Sequence, residues 1–181
     1  MKSKQAIKNK LIKKEKVLAH ATVCFLKKGN KILLGIKGKH IGEGCWNGYG
    51  GGIEFGEKPK EAAVRELEEE TNGVIALSED LEKIAEIDFH NTKNDGRNFV
   101  CKVHFYLVNK WQGEIQETEE MLNPTWFDID NLPLEKMMPA DKKWLPIALG
   151  GKKIKATPKY GPFQKELLED FEIEEVISFF D

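Results

Sequence analysis

The chain has 181 residues, 40% of them hydrophobic, and a formal net charge of −2. That length suits one domain with its own core. The small charge argues against a nucleic acid polymer or an acidic membrane as partner, and no apolar run is long enough to span a bilayer.

Residues 1–16 hold seven lysines and one glutamate. This basic arm lacks the apolar run and cleavage site of a secretory leader. It could bind phosphate-rich partners, but such charge runs are more often solvated and flexible, so residues 17–181 are read as the folded domain. The three cysteines, Cys24, Cys45 and Cys101, lie far apart. An odd number fits a reducing cytoplasm rather than a disulfide framework, and no Cys/His spacing suggests zinc. A monomer is the expected state.

Residues 17–26 read as a strand, 27–30 as a hairpin turn and 31–37 as the partner strand. Residues 46–52 read as a short strand that runs into a glycine loop. Residues 58–71 read as a helix with Pro59 in its first turn. A second hairpin is expected from 81–90 and 98–109, with Asn94-Asp95-Gly96 supplying the turn. Residues 125–129 form another strand. Pro139 begins a second helix that ends at Gly150-Gly151. Residues 154–160 and 168–176 read as two further strands, the second equally compatible with a helix. Mixed strands with two helices predict an α+β fold, a sandwich with the sheet between helices. There is no internal repeat and no low-complexity linker.

The densest run of information is Gly51-Gly52-Ile53-Glu54-Phe55-Gly56-Glu57, continuing to Arg65-Glu66-Leu67-Glu68-Glu69-Glu70. Successive helical residues are about 100° apart, so Glu66, Glu69 and Glu70 share one face and Glu68 points away. Three like charges on one face repel, and hard cations that take oxygen ligands relieve such repulsion. Carboxylates that hold Mg²⁺ against a phosphate chain are a recurrent arrangement in phosphoryl chemistry. A solvated acidic face is the plain alternative. Glu61 and Arg65 are spaced for an exposed i, i+4 ion pair.

This run resembles the Nudix box: Gly, five residues, Glu, seven residues, then Arg-Glu-apolar-x-Glu-Glu-x-Gly-apolar. Gly51, Glu57, Arg65, Glu66, Leu67, Glu69 and Glu70 fall at the required spacing. The motif's end departs, because Thr71 is followed by Asn72-Gly73-Val74. Either a residue is inserted or Asn replaces Gly, and both residues accept the left-handed conformation that ends helices. The resemblance implies the Nudix α/β/α sandwich with a mixed central sheet, and hydrolysis within a nucleoside diphosphate linkage. It implies Mg²⁺, with Mn²⁺ as a substitute, held by the Gly50 carbonyl, Glu66, Glu69 and Glu70. Glu57 and Arg65 would orient these groups. Glu69 or Glu70 would serve as base as well as ligand. A further acidic ligand is expected from 117–120, with Glu120 preferred, Glu119 the alternative, and a simple exposed acidic loop the rival reading.

The resemblance continues outside the box. Leu33-Leu34-Gly35-Ile36-Lys37, Trp46-Asn47-Gly48-Tyr49-Gly50-Gly51, Trp126-Phe127, Leu132-Pro133, Met137, Pro139, Asp141, Trp144 and Pro146 are similar to one branch of the family. That branch converts oxidised purine nucleoside triphosphates such as 8-oxo-dGTP to the monophosphate and pyrophosphate, which sanitises the nucleotide pool. The similarity implies a nucleotide pocket at Thr22, Lys37, Asn47, Tyr49, the backbone of Gly51, and Met138 to Asp141, including Ala140. A carboxylate such as Asp141 suits the N1–H and N2–H₂ donors of a guanine edge. Oxidation at C8 makes N7 a donor, which an amide such as Asn47 can accept. Lys37 can neutralise phosphate or face the sugar. Each residue also has a local reading: Asn47-Gly48 as a turn, Asp141 as a first-turn helix residue. Met138 and Ala140 stand where that branch has tryptophan and a second aspartate. Two other readings remain open: hydrolysis of a nucleotide sugar or dinucleotide, and a non-catalytic nucleotide-sensing module. The intact box glutamates weigh against the second. A diphosphate isomerase would draw on Cys45, which otherwise reads as an incidental loop thiol.

Overall fold

In the computed structural model, which describes residues 17–179, nine strands and two helices form a mixed sheet with one helix on each face. The expected arm at 1–16 lies outside the described residues. The strands are β1 (His20–Lys28), β2 (Lys31–Lys37), β3 (Trp46–Asn47), β4 (Leu81–Thr92), β5 (Asn98–Val108), β6 (Met121–Asp128), β7 (Lys153–Ala156), β8 (Lys159–Pro162) and β9 (Ile173–Val176). The helices are α1 (Pro59–Thr71) and α2 (Asp141–Leu149). The main sheet order is β3-β2-β1-β5-β4-β7-β9, with β6 on β2 and β8 on β4. The expected α+β sandwich is the observed fold.

Strand β1 organises the molecule because both its faces are buried. Phe25 packs into the layer that holds Trp144, Leu145 and Ala148 of α2. Cys24 and Leu26 point the other way, toward Ala63 and Leu67 of α1. Alternation of side chains along a strand accounts for this division. One edge of β1 pairs in parallel with β5, from His20↔Lys102 to Leu26↔Val108. On its other edge Lys27 and Lys28 pair with β2, and farther back that edge carries the glycine loop.

Element boundaries differ from the sequence expectations in instructive ways. The strand expected over 46–52 is regular for only two residues, although Tyr49 and Gly52 still bridge to β1. Strand β6 begins at Met121, directly after Glu120. The expected strand over 154–160 is broken at Thr157-Pro158, and Pro158 has no N–H for a ladder. Of 168–176 only Ile173–Val176 is regular, as a strand antiparallel to β7, so the helical alternative is not adopted. Helix α2 starts at Asp141, two residues after Pro139. Glu61 does not pair with Arg65. Its Oε2 accepts the Lys58 N–H at 3.0 Å and closes the start of α1, where a free N–H needs an acceptor.

At the end of the box Asn72 and Gly73 both take positive φ. Asn72 takes the left-handed conformation at the end of α1, with φ 52 and ψ 46. Its side-chain N–H₂ donates to Gln116 Oε1 at 2.7 Å, and Val74 resumes the core.

Candidate active site

The glycine loop is sewn onto β1. Thr22 N–H donates to Gly51 O at 2.9 Å, Tyr49 N–H to Cys24 O at 2.9 Å, and Ile53 N–H to His20 O at 3.1 Å. This close approach explains Gly50, where a Cβ would lie 2.0 Å from the Thr22 carbonyl oxygen. At Gly51 a Cβ would instead lie 2.4 Å from Glu66 Oε2. The loop is therefore a cradle in which backbone touches a carboxylate of α1.

Arg65 is the organising cation of the acidic helix. Its Nε and one terminal nitrogen each reach Glu57 at 2.9 Å, as a bidentate pair. The same terminal nitrogen donates to Gly52 O at 3.0 Å; the other reaches Glu66 at 2.8 Å and Glu69 at 3.5 Å. The Arg65 hydrogen bond holds the Glu57 carboxyl below its ordinary value, although burial opposes this. The guanidinium thus ties loop to helix through planar contacts a lysine could not reproduce.

Glu70 is buried at 4% exposure. It accepts Lys37 Nζ at 2.9 Å and Gly50 N–H at 2.6 Å. Burial pushes its carboxyl up and the Glu66 charge adds to this, while Lys37 and the Gly50 N–H act in the opposite sense. Glu69 lies on the exposed flank of α1 with its side chain 61% exposed. Glu120 pairs with Lys39 at 3.0 Å, and Gly38 N–H donates to its carbonyl at 2.9 Å. Burial raises the Glu120 carboxyl, but the Lys39 hydrogen bond and surrounding cations outweigh it and the net direction is downward. Glu119 is exposed.

Among the described residues no three carboxylate, histidine or cysteine side chains converge closely enough to hold a metal ion. Lys37 holds Glu70, and Arg65 holds Glu66 and Glu69. The donor chemistry nevertheless fits a hard divalent cation: oxygen ligands only, two partly or fully buried carboxylates that repel each other, and a glycine cradle with no room for a side chain.

One cleft of about 160 Å³ holds part of this set together with several of the pocket residues. Glu66, Lys37, Glu120, Gly50 and Gly51 line one part, and Thr22, Asn47, Met138 and Asp141 also face it. Thr22 Oγ1 is buried with no hydrogen-bond partner among the described residues. Asn47 Oδ1 accepts Gly48 N–H at 2.8 Å, so its turn role and its cleft position coexist. Asp141 is 6% exposed and accepts the Trp144 indole N–H at 2.9 Å. Burial pushes its carboxyl up to about 7, despite the opposing hydrogen bonds.

Two expected pocket side chains lie elsewhere. Tyr49 is fully buried in the α1 layer, where alternation along the loop turns it away from the cleft. Ala140 is fully buried against α2, and its N–H donates to Tyr160 OH at 2.8 Å. Glu57, Arg65, Glu69 and Glu70 also lie outside the cleft lining, as does Cys45. Sequence reasoning missed the apolar wall of Phe89, Phe99, Phe105 and Tyr160, together with Gln164. Alternation in β4 and β5 places Phe89 and Phe105 on one face, but nothing in the pattern reveals that this face opens beside the carboxylates.

Comparison with known proteins gives a consistent picture. Residues 17–147 match the model of the NUDIX domain. The chain is 36% identical over 132 residues to an oxidized purine nucleoside triphosphate hydrolase of Danio rerio, covering 73% of this chain and 80% of that protein. It is 33% identical over 159 residues to the protein of the same name from Mus musculus, covering 87% and 96%. Its fold is similar to the crystal structure of a MutT protein from Bacillus halodurans, with TM-score 0.69, 24% identity, and coverage of 87% of this chain and 98% of that one. With a matched span that includes the glycine loop, the acidic helix and the cleft residues as far as Asp141, this chain belongs to the NUDIX family.

Proposed function

We propose that this chain is a divalent-metal-dependent nucleoside triphosphate pyrophosphohydrolase that acts on oxidised purine nucleotides such as 8-oxo-dGTP and thereby clears them from the nucleotide pool. The observation that carries this reading is the continuity of one cleft, from Glu66, Lys37 and Glu120 to Asn47 and Asp141 beside an aromatic wall. A triphosphate needs the first set of groups and a purine needs the second. The names of the Danio and Mus relatives support the same substrate class.

Glu66, Glu69, Glu70 and the Gly50 carbonyl would hold Mg²⁺ or Mn²⁺, with Glu120 as a further ligand. Bound there, the ion would neutralise phosphate oxygens and lower the pKa of a water. Arg65 and Glu57 keep the helix carboxylates aimed at the loop. Lys37, released from Glu70, is placed to neutralise a phosphate oxygen. Either Glu70 or the solvent-accessible Glu69 takes the proton from the attacking water. On the base side, Asp141 and Asn47 offer acceptors to the purine edge, and the unpartnered Thr22 hydroxyl offers a further polar contact. Met138 supplies a thioether against the ring in place of a stiffer aromatic surface.

Turnover of a panel of 8-oxo-dGTP, dGTP, dCTP, a nucleotide sugar and a dinucleoside polyphosphate, with and without chelator, tests the proposal. It predicts the highest kcat/KM on 8-oxo-dGTP and loss of turnover in chelator. Turnover confined to the nucleotide sugar or dinucleotide would reject the triphosphate assignment.

A further inference from the structure

Gln164 reaches the cleft from a part of the chain beyond the family-matched span, in the turn that follows β8. That turn is conformationally costly. Phe163 and Gln164 are consecutive left-handed residues with φ 59 and φ 57, a conformation in which Cβ crowds the backbone. Such outliers persist only where their surroundings over-determine them, and they concentrate at ligand sites.

The surroundings here are specific. Gln164 N–H donates to Gly161 O at 3.1 Å, and Gly161 N–H to Glu166 O at 3.1 Å. Thr92 OH anchors the start of the turn by donating to Tyr160 O at 3.0 Å. The side chain is oriented by a two-step relay. Asn91, 2% exposed, donates its Nδ2 to Phe89 O at 3.0 Å. Its Oδ1 must then face the other way, and there it accepts Gln164 Nε2 at 2.5 Å. Because Asn91 presents its carbonyl, the Gln164 amide turns its nitrogen to Asn91. What Gln164 retains for the cleft is its carbonyl oxygen and one remaining N–H.

We propose that Gln164 is a specificity-determining residue, whose Oε1 accepts the N7–H of an 8-oxidised purine while its remaining N–H donates to an adjacent purine oxygen. The inference rests on the proposed substrate class. An unmodified guanine presents N7 as an acceptor, which would oppose Oε1 rather than bond to it. Asn91 acts through Gln164 as a positioning residue.

The test is calorimetric binding of 8-oxo-dGMP and dGMP to the full chain, which needs no turnover. Wild type binds 8-oxo-dGMP more tightly. Gln164→Gly, which accepts the left-handed conformation without strain, lowers the ratio of the two affinities about tenfold, the worth of one hydrogen bond. Asn91→Leu lowers the ratio by freeing the amide, and Gln164→Asn in the intact turn restores part of it. No discrimination in wild type, or an unchanged ratio in Gln164→Gly, overturns the inference. Hydrolysis of 8-oxo-dGTP by that same Gln164→Gly variant with an unchanged ratio would leave the proposed function standing and reject only the role of Gln164.

Discussion

Lys37 Nζ lies 2.9 Å from Glu70 Oε1, and the two side chains are 13% and 4% exposed. This is a buried ion pair between the end of β2 and α1, inside a site expected to take a divalent cation. Burial raises the Glu70 carboxyl above its ordinary value, and the lysine opposes that rise. Replacing one member of such a pair leaves the other buried and uncompensated. Lys37→Met is therefore expected to lower folding stability by about 3–5 kcal/mol, and Lys37→Met with Glu70→Gln to recover much of the loss. Denaturant unfolding of the two variants measures this. Millimolar Mg²⁺ should stabilise Lys37→Met more than wild type, because the ion meets no internal competitor.

Arg65 offers a second test. Its bidentate contact with Glu57 depends on a planar fork that lysine lacks. Arg65→Lys is expected to lower Mn²⁺ affinity, or kcat at saturating metal, by roughly 10–100-fold. Titration followed by the paramagnetic resonance of Mn²⁺ reads the affinity directly.

The two loop glycines should fail differently. At Gly50 a Cβ would strike the Thr22 backbone at 2.0 Å, so Gly50→Ala is expected to unfold the loop and lower the melting temperature. At Gly51 the obstacle is the Glu66 carboxylate at 2.4 Å, which can swing away. Gly51→Ala is then expected to keep the fold and lose on the order of 10–100-fold in kcat/KM through displacement of Glu66. Thermal unfolding beside steady-state kinetics separates the two.

Asp141 gives a pH signature. Its carboxyl stands at about 7 in the folded chain against an ordinary 3.8, mainly because of burial. The folded state binds its proton more tightly than the unfolded state does. The associated stability is fully present below pH 3.8 and is lost as pH rises through 7. Relative to Asp141→Asn, wild type should lose on the order of 4 kcal/mol between those limits. Denaturant melts of both proteins from pH 4 to 8 would show the divergence, and parallel curves would contradict the assignment.

How much of this was legible in the sequence follows from the range of the interactions. The acidic helix and its glycine loop are local: Gly51, Glu57, Arg65 and Glu66 are set by spacing along one turn-helix unit, and the structure places them in mutual contact. The strand pairs around Gly29 and Gly96 are local too, and both hairpins form. The cleft is not local. Phe89, Phe105, Tyr160 and Gln164 meet through the pairing of β4 with β5 and β8, which no periodicity announces. Only its position suggests Ala140 for the pocket, and its N–H bond to Tyr160, twenty residues later, draws it into the core instead. Arg65 passed over Glu61, one turn away, because Glu57 and the Gly52 carbonyl lie in the loop it spans.

The proposed reaction cleaves a nucleoside triphosphate between its α and β phosphates. Wild-type protein with Mg²⁺ and 8-oxo-dGTP, resolved by ion-exchange chromatography, tests it most directly. The expected products are 8-oxo-dGMP and pyrophosphate in equal amounts, with Glu70→Gln slowed by several orders of magnitude under the same conditions. Release of 8-oxo-dGDP and orthophosphate, or full turnover by Glu70→Gln, would contradict it.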